Sequence, residues 1–596
     1  MIKLPAIFSD GMVLSKEARV WGWAEPGTQI IVKFICRQYE AVTGPDGRFQ
    51  VTIISQEYGG PHNLIIGDKT IKDVHIGKVW LCGGQSNMEQ PLSRARPLLD
   101  PHIRDNPNIR AFHAEKGMRF DGPSQDVKGC WQTATGEFLN STFAVPYFFA
   151  EALPFHQTPI GLINVAAGGT PIEAWLPEEI IHTFPDLAAR LAPYKQPGFV
   201  QNQEQSESTR VQEWHQTLQA KDIGLVEDWH LPNYNHRHWE DKMLLDTNAL
   251  DYGVVWYRKD ITLPHDIDGP ISLNLGCVVN SVKVYVNGEL VATVDYQYPP
   301  CRCILPEGLL KPGINVMALR VVGSSSKPYF VPGKRHELTH KNGSISLKGP
   351  WKSRQACAMP RLEPAKWLYN IPTCTYNYML APVLGYDVDG MIWYQGESNT
   401  GDPQDYKAMF CAFVRHLRKH YKYDLPVIST QLANYVSPSD TGEGWALVRD
   451  QQRQCLEIPN TAMAVAIDCG EWNDLHPQDK KTVGQRLALW ARRLAYSEDI
   501  ASSGPAAKAA EICNGTLSIS FDYGEGLWAK NGRPMVEVLD SKGMPHHFYA
   551  KIEDETLTAQ VGGVDAKQVR FGWTDCPAVV LYNAYDLPAS PFSISI

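Results

Sequence analysis

The chain has 596 residues, of which 43% are apolar and 20% are charged, and its formal net charge is -9. This length predicts about three to five domains of an ordinary globular kind. An acidic chain without a basic run argues against nucleic acid or an anionic membrane surface as a partner. No apolar stretch approaches the ~20 residues that span a bilayer.

The thirteen cysteines are scattered and include no Cys-x-x-Cys pair, which favours a reducing compartment over a disulfide framework or a zinc site. We predict neither a metal site nor an organic cofactor. Residues 1–5 lead directly into domain-like sequence. We therefore expect a cytoplasmic protein if the chain is complete, and a periplasmic or secreted protein if a signal peptide was removed. The sequence carries no signal for an oligomeric state.

Two kinds of pattern alternate along the chain. Short runs of β-branched and aromatic residues between Gly and Pro turns predict β-sandwiches, and strands alternating with amphipathic helices predict a parallel α/β sheet. The amphipathic spacing between residues 406 and 421 is one such helix, and Asn287-Gly288 marks a hairpin in a β-rich insertion. The predicted domains are an N-terminal β-sandwich (1–77), an α/β domain in two parts (78–222 and 356–500), an inserted β-sandwich (223–355) and a C-terminal β-domain (501–596).

Ser86 is the first candidate for chemistry. It lies in Gly84-Gln85-Ser86-Asn87-Met88, where a buried apolar strand over residues 79–82 ends in glycines. A serine in a glycine turn is commonly there for local hydrogen bonding. The alternative is a nucleophile, which needs a neighbouring base to accept its proton.

His476 is the candidate base, since it follows an apolar strand predicted over residues 463–467 and precedes Pro477, which we place in the first turn of a helix. Imidazole can accept the Ser86 proton and return it to a leaving alcohol. Asp474 is the preferred acid for orienting His476. Its alternative role is a helix cap, and Glu397 or a backbone carbonyl is an alternative partner for the imidazole.

Three residues are candidate oxyanion donors together with the Ser86 N–H. Gly168 and Gly169 follow a strand ending at Ala166, and Asn399 follows a strand ending at Tyr394. A backbone N–H or an asparagine amide fixed in advance stabilises developing negative charge.

The alternatives are an ordinary strand-to-helix turn at the glycines and an Asx turn at Asn399. Besides Glu397, Gln85 and Gln395 are further candidates for contact with the substrate.

Four blocks resemble the sialate O-acetylesterase family of the SGNH (GDSL-like) hydrolases, in the same order. They are Gly-Gln-Ser-Asn-Met (84–88), Gly-Gly-Thr-Pro-Ile-Glu-Ala-Trp (168–175), Trp-Tyr-Gln-Gly-Glu-Ser-Asn (393–399) and Asp-Leu-His-Pro (474–477). The resemblance implies an SGNH-type sheet and puts the catalytic positions on Ser86, Gly168 or Gly169, Asn399 and His476. Many SGNH enzymes carry the acid three residues before the histidine, where this chain has Asn473, so the resemblance leaves the identity of the acid open.

The resemblance also implies that the predicted inserted β-sandwich is similar to the sugar-binding domain of family 2 glycoside hydrolases. Residues 255–259 and 284–288 carry this likeness. We expect a serine esterase that removes O-acetyl groups from 9-O-acetylated sialic acid through an acetyl-enzyme. Two alternatives stay open: an esterase of acetylated xylan or xyloglucan oligosaccharides, and a non-catalytic carbohydrate-binding protein.

Overall fold

The computed structural model describes residues 1–95, 103–244, 251–263, 267, 269–436 and 443–596. Its largest sheet has seven strands, which we number β1 to β7 in chain order. The strands are β1 (Lys78–Gly84), β2 (Asn106–Ala114), β3 (Gly129–Ala134), β4 (Ile160–Ala166), β5 (Gly390–Tyr394), β6 (Val427–Thr430) and β7 (Thr461–Ala464). Their spatial order is β3-β2-β4-β1-β5-β6-β7.

Six of these strands are parallel, and β3 is antiparallel to β2 at one edge. The predicted sheet is therefore correct in its parallel part, whereas the antiparallel edge strand was not predicted. Parallel strands are buried on both faces, and β1 shows this directly. Val79 and Leu81 belong to one apolar core, and Trp80 and Cys82 belong to the other.

Helices cover both faces. The helix Tyr406–Tyr421 packs its buried aromatic residues into the core that contains Val79, as its sequence spacing predicts. The helices Ala144–Ala152 and Lys480–Tyr496 pack into the other core. The remaining α-helices are Ser86–Glu89, Leu92–Ala95, Gly136–Ser141, Glu178–Ile181, Pro185–Leu191, Phe199–Lys221, Ile223–Val226 and Gly444–Gln454.

The prediction that Pro477 lies in the first turn of a helix is wrong. The helix begins at Lys480, because the Asp479 side chain accepts a hydrogen bond from the Thr482 N–H (3.0 Å) and caps it there. The loop that carries Asp474 and His476 is consequently longer than predicted.

The segment before β1 is all β. It forms a five-stranded and a two-stranded sheet. The strands are Val13–Leu14, Glu17–Trp23, Gln29–Phe34, Arg37–Val42, Arg48–Ile54, Gly59–Ile66 and Lys69–Ile76.

Between β4 and β5 the chain forms a second group of β-sheets, with six, four and two strands. The six-stranded sheet contains Glu240–Met243, Gly253–Leu263, Ser281–Val286, Glu289–Val294, Gly313–Gly323 and Pro350–Ala358. The smaller sheets contain Ser272–Asn274, Val278–Val279, Arg302–Ile304, Tyr329–Phe330, Glu337–His340 and Gly343–Ser346. We call residues 240–358 the insertion.

The chain after the last helix, residues 497–596, is again all β, in two four-stranded sheets and one pair of strands. We call it the C-terminal β-region. The strands are Ala506–Cys513, Thr516–Asp522, Trp528–Lys530, Met535–Asp540, Pro545–Tyr549, Lys551–Glu553, Thr556–Gln560, Ala566–Phe571, Val580–Tyr582 and Phe592–Ser595.

Candidate active site

Ser86 lies at the carboxyl end of β1, at the first position of a short helix, and is half-buried. The turn that presents it depends on Gly84, which has φ +140° and lies against β5. A Cβ at Gly84 would approach the Tyr394 carbonyl oxygen to 2.1 Å. The Gln85 N–H donates to the same oxygen at 3.0 Å. Only glycine therefore permits this turn.

Asn87 connects the serine turn with the histidine loop. Its Nδ2 donates to the Leu475 carbonyl (3.1 Å) and to Glu397 Oε1 (2.5 Å), and its Oδ1 accepts from Lys480 Nζ (2.6 Å). Since Asn87 directly follows Ser86 and Leu475 directly precedes His476, the fold brings the two predicted catalytic segments together.

The imidazole of His476 is mostly buried. Its Nε2 has no hydrogen-bond partner among the residues that the structure describes, and its ring meets the Tyr298 ring edge to face, with centroids 5.2 Å apart. Ser86 and His476, the predicted nucleophile and base, are not hydrogen-bonded to each other. Such bonds are often long in enzymes without substrate and tighten in the complex.

His476 is a neutral imidazole at neutral pH. Burial lowers its pKa to about 3, and the nearby charges of Lys480 and Arg94 act in the same direction. A neutral ring with an unoccupied Nε2 is the form that can accept a proton.

Asp474 is buried and holds the backbone of the loop. Its Oδ1 accepts from the His476 backbone N–H (2.9 Å), and its Oδ2 accepts from Lys334 Nζ (3.0 Å). Burial raises the pKa of Asp474, and the Lys334 ammonium opposes that rise. Within the described chain, neither carboxylate oxygen is hydrogen-bonded to the imidazole, so the predicted contact with the ring is not formed.

The two glycines of the second motif lie beside Ser86. A Cβ at Gly168 would lie 3.4 Å from Ser86 Cβ and 2.8 Å from Glu89 Oε1, and Gly169 has φ +71°. The backbone N–H groups of Ser86, Gly168 and Gly169 donate to no other described residue. This corner therefore contains three backbone donors without acceptors, which is what an oxyanion site requires.

Asn399 is buried in a polar network behind these donors. Its Oδ1 accepts from Gln395 Nε2 (2.7 Å) and the Ile172 N–H (2.9 Å), and its Nδ2 donates to Glu173 Oε2 (3.1 Å). The second amide hydrogen of Asn399 thus has no acceptor within the described part of the chain. Gln395 also donates to Gln85 Oε1 (3.2 Å), so both glutamines serve this network.

Glu397 and Lys480 form a buried charged pair bridged by Asn87. Burial raises the pKa of Glu397, although its hydrogen bond from Asn87 opposes the rise. Burial lowers the pKa of Lys480 to about 8, while the charges of Glu397 and Asp474 raise it. Lys480 was missed in the sequence analysis. Its spacing to Val483 and Leu487 places it on the buried face of the helix, and a lysine at such a position is a usable signal.

In the described parts of the chain, no helix is long and apolar enough to cross a bilayer. No group of three or more His, Cys, Asp or Glu side chains with metal-binding geometry occurs among those same residues.

The chain matches known proteins at this site and along its length. The family model described as "Carbohydrate esterase, sialic acid-specific acetylesterase" matches residues 76–219 and 363–492, which contain all four motifs. The sialate O-acetylesterase of Mus musculus is 30% identical, covering 98% of this chain and 93% of the mouse protein. That of Rattus norvegicus is 24% identical with the same coverage.

A solved structure shows the same fold. The crystal structure of a carbohydrate acetylesterase from Xanthomonas citri aligns over 100% of this chain and 99% of its own, with a TM-score of 0.64 and 24% identity. The resemblance predicted from the four motifs is thus confirmed by the family model and by the mouse relative. The chain belongs to the sialate O-acetylesterase family and is a carbohydrate esterase, a carboxylic ester hydrolase.

Proposed function

We propose that the protein is a serine esterase that removes the O-acetyl group of 9-O-acetylated sialic acid through an acetyl-enzyme on Ser86. The observation that supports the catalytic part is the arrangement around Ser86. Three backbone N–H groups there have no acceptor among the residues that the structure describes, and the histidine loop is hydrogen-bonded to Asn87. The names of the mouse and rat relatives support the sialate substrate.

In the first half-reaction, Ser86 Oγ attacks the acetyl carbonyl carbon while His476 Nε2 takes the hydroxyl proton. The carbonyl oxygen becomes an oxyanion, which the N–H groups of Ser86 and of Gly168 or Gly169 and the free amide hydrogen of Asn399 stabilise. The C–O bond to the sugar then breaks, and His476 protonates the departing sugar oxygen. In the second half-reaction, His476 takes a proton from the water that attacks the acetyl-enzyme carbonyl. The C–O bond to Ser86 Oγ then breaks, His476 returns the proton to Ser86, and acetate leaves.

The surrounding polar residues position these groups. Asp474 holds the His476 backbone N–H, and Glu397 together with Lys480 holds Asn87. We assign Gln85 and Gln395 to support of the Asn399 amide, because Gln395 Nε2 bonds both of the other two side chains. Each is a positioning residue, since none of these bonds ends on a reacting atom.

The pH dependence follows from His476. Because the pKa of His476 is lowered to about 3, the neutral base persists in moderately acidic solution. We expect kcat/KM for 4-nitrophenyl acetate to stay level from neutral pH down to about pH 5, whereas a histidine with the ordinary pKa of about 6.5 would lose most of its activity there. The measurement is a kcat/KM profile in mixed buffers, with enzyme stability checked at each pH. Half-maximal activity near pH 6.5 would contradict this account of His476.

Arg94 supports an anionic substrate. It lines a cleft of about 430 Å³ that also contains Glu137 and Glu89, the latter from the helix that begins at Ser86. Its Nη1 donates to the Tyr296 hydroxyl (2.6 Å), and it has no ion pair with any residue in the described ranges. Glu89 is already neutralised by Lys116 (2.7 Å). A planar guanidinium suits a carboxylate, which sialic acid has and acetylated xylan lacks.

Replacing Arg94 with glutamine should therefore lower kcat/KM for 9-O-acetylated sialic acid about tenfold or more, the usual cost of a lost charged hydrogen bond. Activity on a neutral acetylated xylo-oligosaccharide should change much less. The assay is acetate release from both substrates.

Arg533→Gln is the matched control, because Arg533 lies over the Tyr549 ring in the C-terminal β-region much as Arg94 lies over Tyr296. A wild-type protein that hydrolyses only the xylo-oligosaccharide would replace the sialate proposal by the xylan alternative. A protein that binds both glycans and releases acetate from neither would support the carbohydrate-binding alternative.

We further propose that the sheet domain is an SGNH-type hydrolase in two parts, 78–222 and 356–500, with β-domains over 1–77, 223–355 and 501–596. The strand groups described above support this division, except that the strand Pro350–Ala358 of the insertion runs past the boundary at 355. The expected partner is a small-molecule or oligosaccharide substrate that bears O-acetyl groups.

A further inference from the structure

Two exposed tryptophans flank the active site. Of the seventeen tryptophans, Trp367 (54% exposed) and Trp472 (51%) are the two that are more than half exposed. Both rings lie on segments that contact the catalytic motifs, and an exposed aromatic ring beside an active site is a surface on which a ligand can pack.

Trp367 lies beside the proposed oxyanion donors of the glycine turn. A Cβ at Gly169 would approach Trp367 Nε1 to 2.9 Å, so the indole borders the glycine turn directly. The Tyr369 ring supports it, with centroids 5.1 Å apart and planes inclined by 30°.

The segment after Trp367 is fixed to the second motif. The Thr373 N–H donates to the Glu173 carbonyl (2.9 Å), and Thr375 Oγ1 donates to the Ala174 carbonyl (2.8 Å). Trp367 is therefore presented by an anchored segment, which limits the entropy lost when a ligand binds to it.

Trp472 lies on the loop that carries the proposed base, four residues before His476. A Cβ at Gly333 of the insertion would lie 3.0 Å from Trp472 Cζ2. The neighbouring Asn473 Nδ2 donates to the Pro332 carbonyl (2.5 Å). Lys334 Nζ bonds both Glu471 Oε2 (2.8 Å) and Asp474 Oδ2 (3.0 Å). The insertion thus holds the loop that carries both Trp472 and the proposed base.

We propose that Trp367 and Trp472 are stacking surfaces for sugar rings on either side of the acetylated residue, so that the enzyme acts on an acetylated sugar within an oligosaccharide. The apolar C–H face of a pyranose packs well on an indole ring. A free monosaccharide supplies a single pyranose ring, whereas a chain of sugars supplies one for each indole. This inference rests on the proposed function, because Ser86 defines where the active site is. It adds the class of substrate that the site accepts.

Kinetics on matched substrate pairs test the inference. The pairs are α2,8-linked trisialic acid 9-O-acetylated on its middle residue with free 9-O-acetyl-N-acetylneuraminic acid, and xylotetraose acetylated on an internal residue with acetylated methyl xyloside. We expect the wild-type protein to prefer the longer member of whichever pair it hydrolyses. In Trp367→Ala and in Trp472→Ala, the ratio of kcat/KM on that longer substrate to kcat/KM on 4-nitrophenyl acetate should fall about three- to tenfold, mainly through KM.

The conservative variants Trp367→Phe and Trp472→Phe should recover most of the ratio, because they keep an aromatic face. Trp528→Ala is the matched control: Trp528 is also exposed but belongs to the C-terminal β-region, where it stacks on Tyr582. An unchanged ratio in either alanine variant, or equal kcat/KM for the two members of a pair, would overturn the two-sided site.

A binding measurement separates this inference from the proposed catalysis. In a Ser86→Ala background, titration calorimetry with the longer acetylated substrate should give a Kd that rises when Trp367 or Trp472 is replaced by alanine. If the Ser86→Ala protein still releases acetate, the proposed nucleophile is wrong while the stacking site can stand. If that protein is inactive and its Kd is unchanged when Trp367 or Trp472 is replaced by alanine, the stacking site is rejected and the proposed catalysis stands.

Discussion

Replacing Ser86 with alanine should reduce acetate release from 4-nitrophenyl acetate by about four to six orders of magnitude, as loss of the nucleophile does in serine hydrolases. The fold should survive. The Ser86 side chain is only half-buried, and its hydroxyl makes no hydrogen bond to another residue in the described ranges, so no partner is left unsatisfied. The unfolding midpoint should therefore stay within the small range that such substitutions usually give.

Ser398→Ala is the control for this experiment, because Ser398 is an exposed serine within the third motif. It should keep wild-type turnover. Rapid acid quenching of the wild-type reaction, followed by mass spectrometry of the peptide that contains Ser86, should detect the acetyl-enzyme. Retained turnover in Ser86→Ala, or acetylation at another residue, would reject the serine mechanism.

The sequence predicted the sheet best where hydrophobic periodicity is strong. The run from Val79 to Cys82 is apolar at every position, which indicates burial on both faces, and the structure places alternate residues of β1 in two different cores. Strand ends were predicted less well. The last strand was expected over residues 463–467, but β7 is Thr461–Ala464, because its register is set by pairing Val427 of β6 with Thr461.

The four sequence motifs locate the active site, but the contacts that arrange it join distant parts of the chain. Asn87 is hydrogen-bonded to Glu397 and to Lys480, which lie 310 and 393 residues away. Lys334 reaches Asp474 from the insertion. No local pattern specifies which polar side chains will meet once the chain has folded, so the sequence predicts Asp474 beside the imidazole and carries no sign of its ion pair with Lys334.

Replacing His476 with glycine should lower turnover to a similar extent as Ser86→Ala, by about four to six orders of magnitude, because the serine would lose its base. The two variants should differ in their response to added imidazole. His476→Gly removes only the side chain, and the backbone N–H that Asp474 accepts stays in place, so the loop keeps that bond. Imidazole added to the solution can then enter the space beside Tyr298 and act as the base.

We therefore expect added imidazole to restore part of the activity of His476→Gly in a concentration-dependent manner, and to restore none in Ser86→Ala. The rescued rate should rise with pH through the pKa of free imidazole, whereas the wild-type rate should stay level over the same range, because the pKa of His476 is lowered to about 3. His547→Gly is the matched control, since His547 is exposed in the C-terminal β-region and should keep full activity without imidazole. Rescue that is equal in all three variants would show that imidazole acts directly on the ester and would remove the support for His476 as the base.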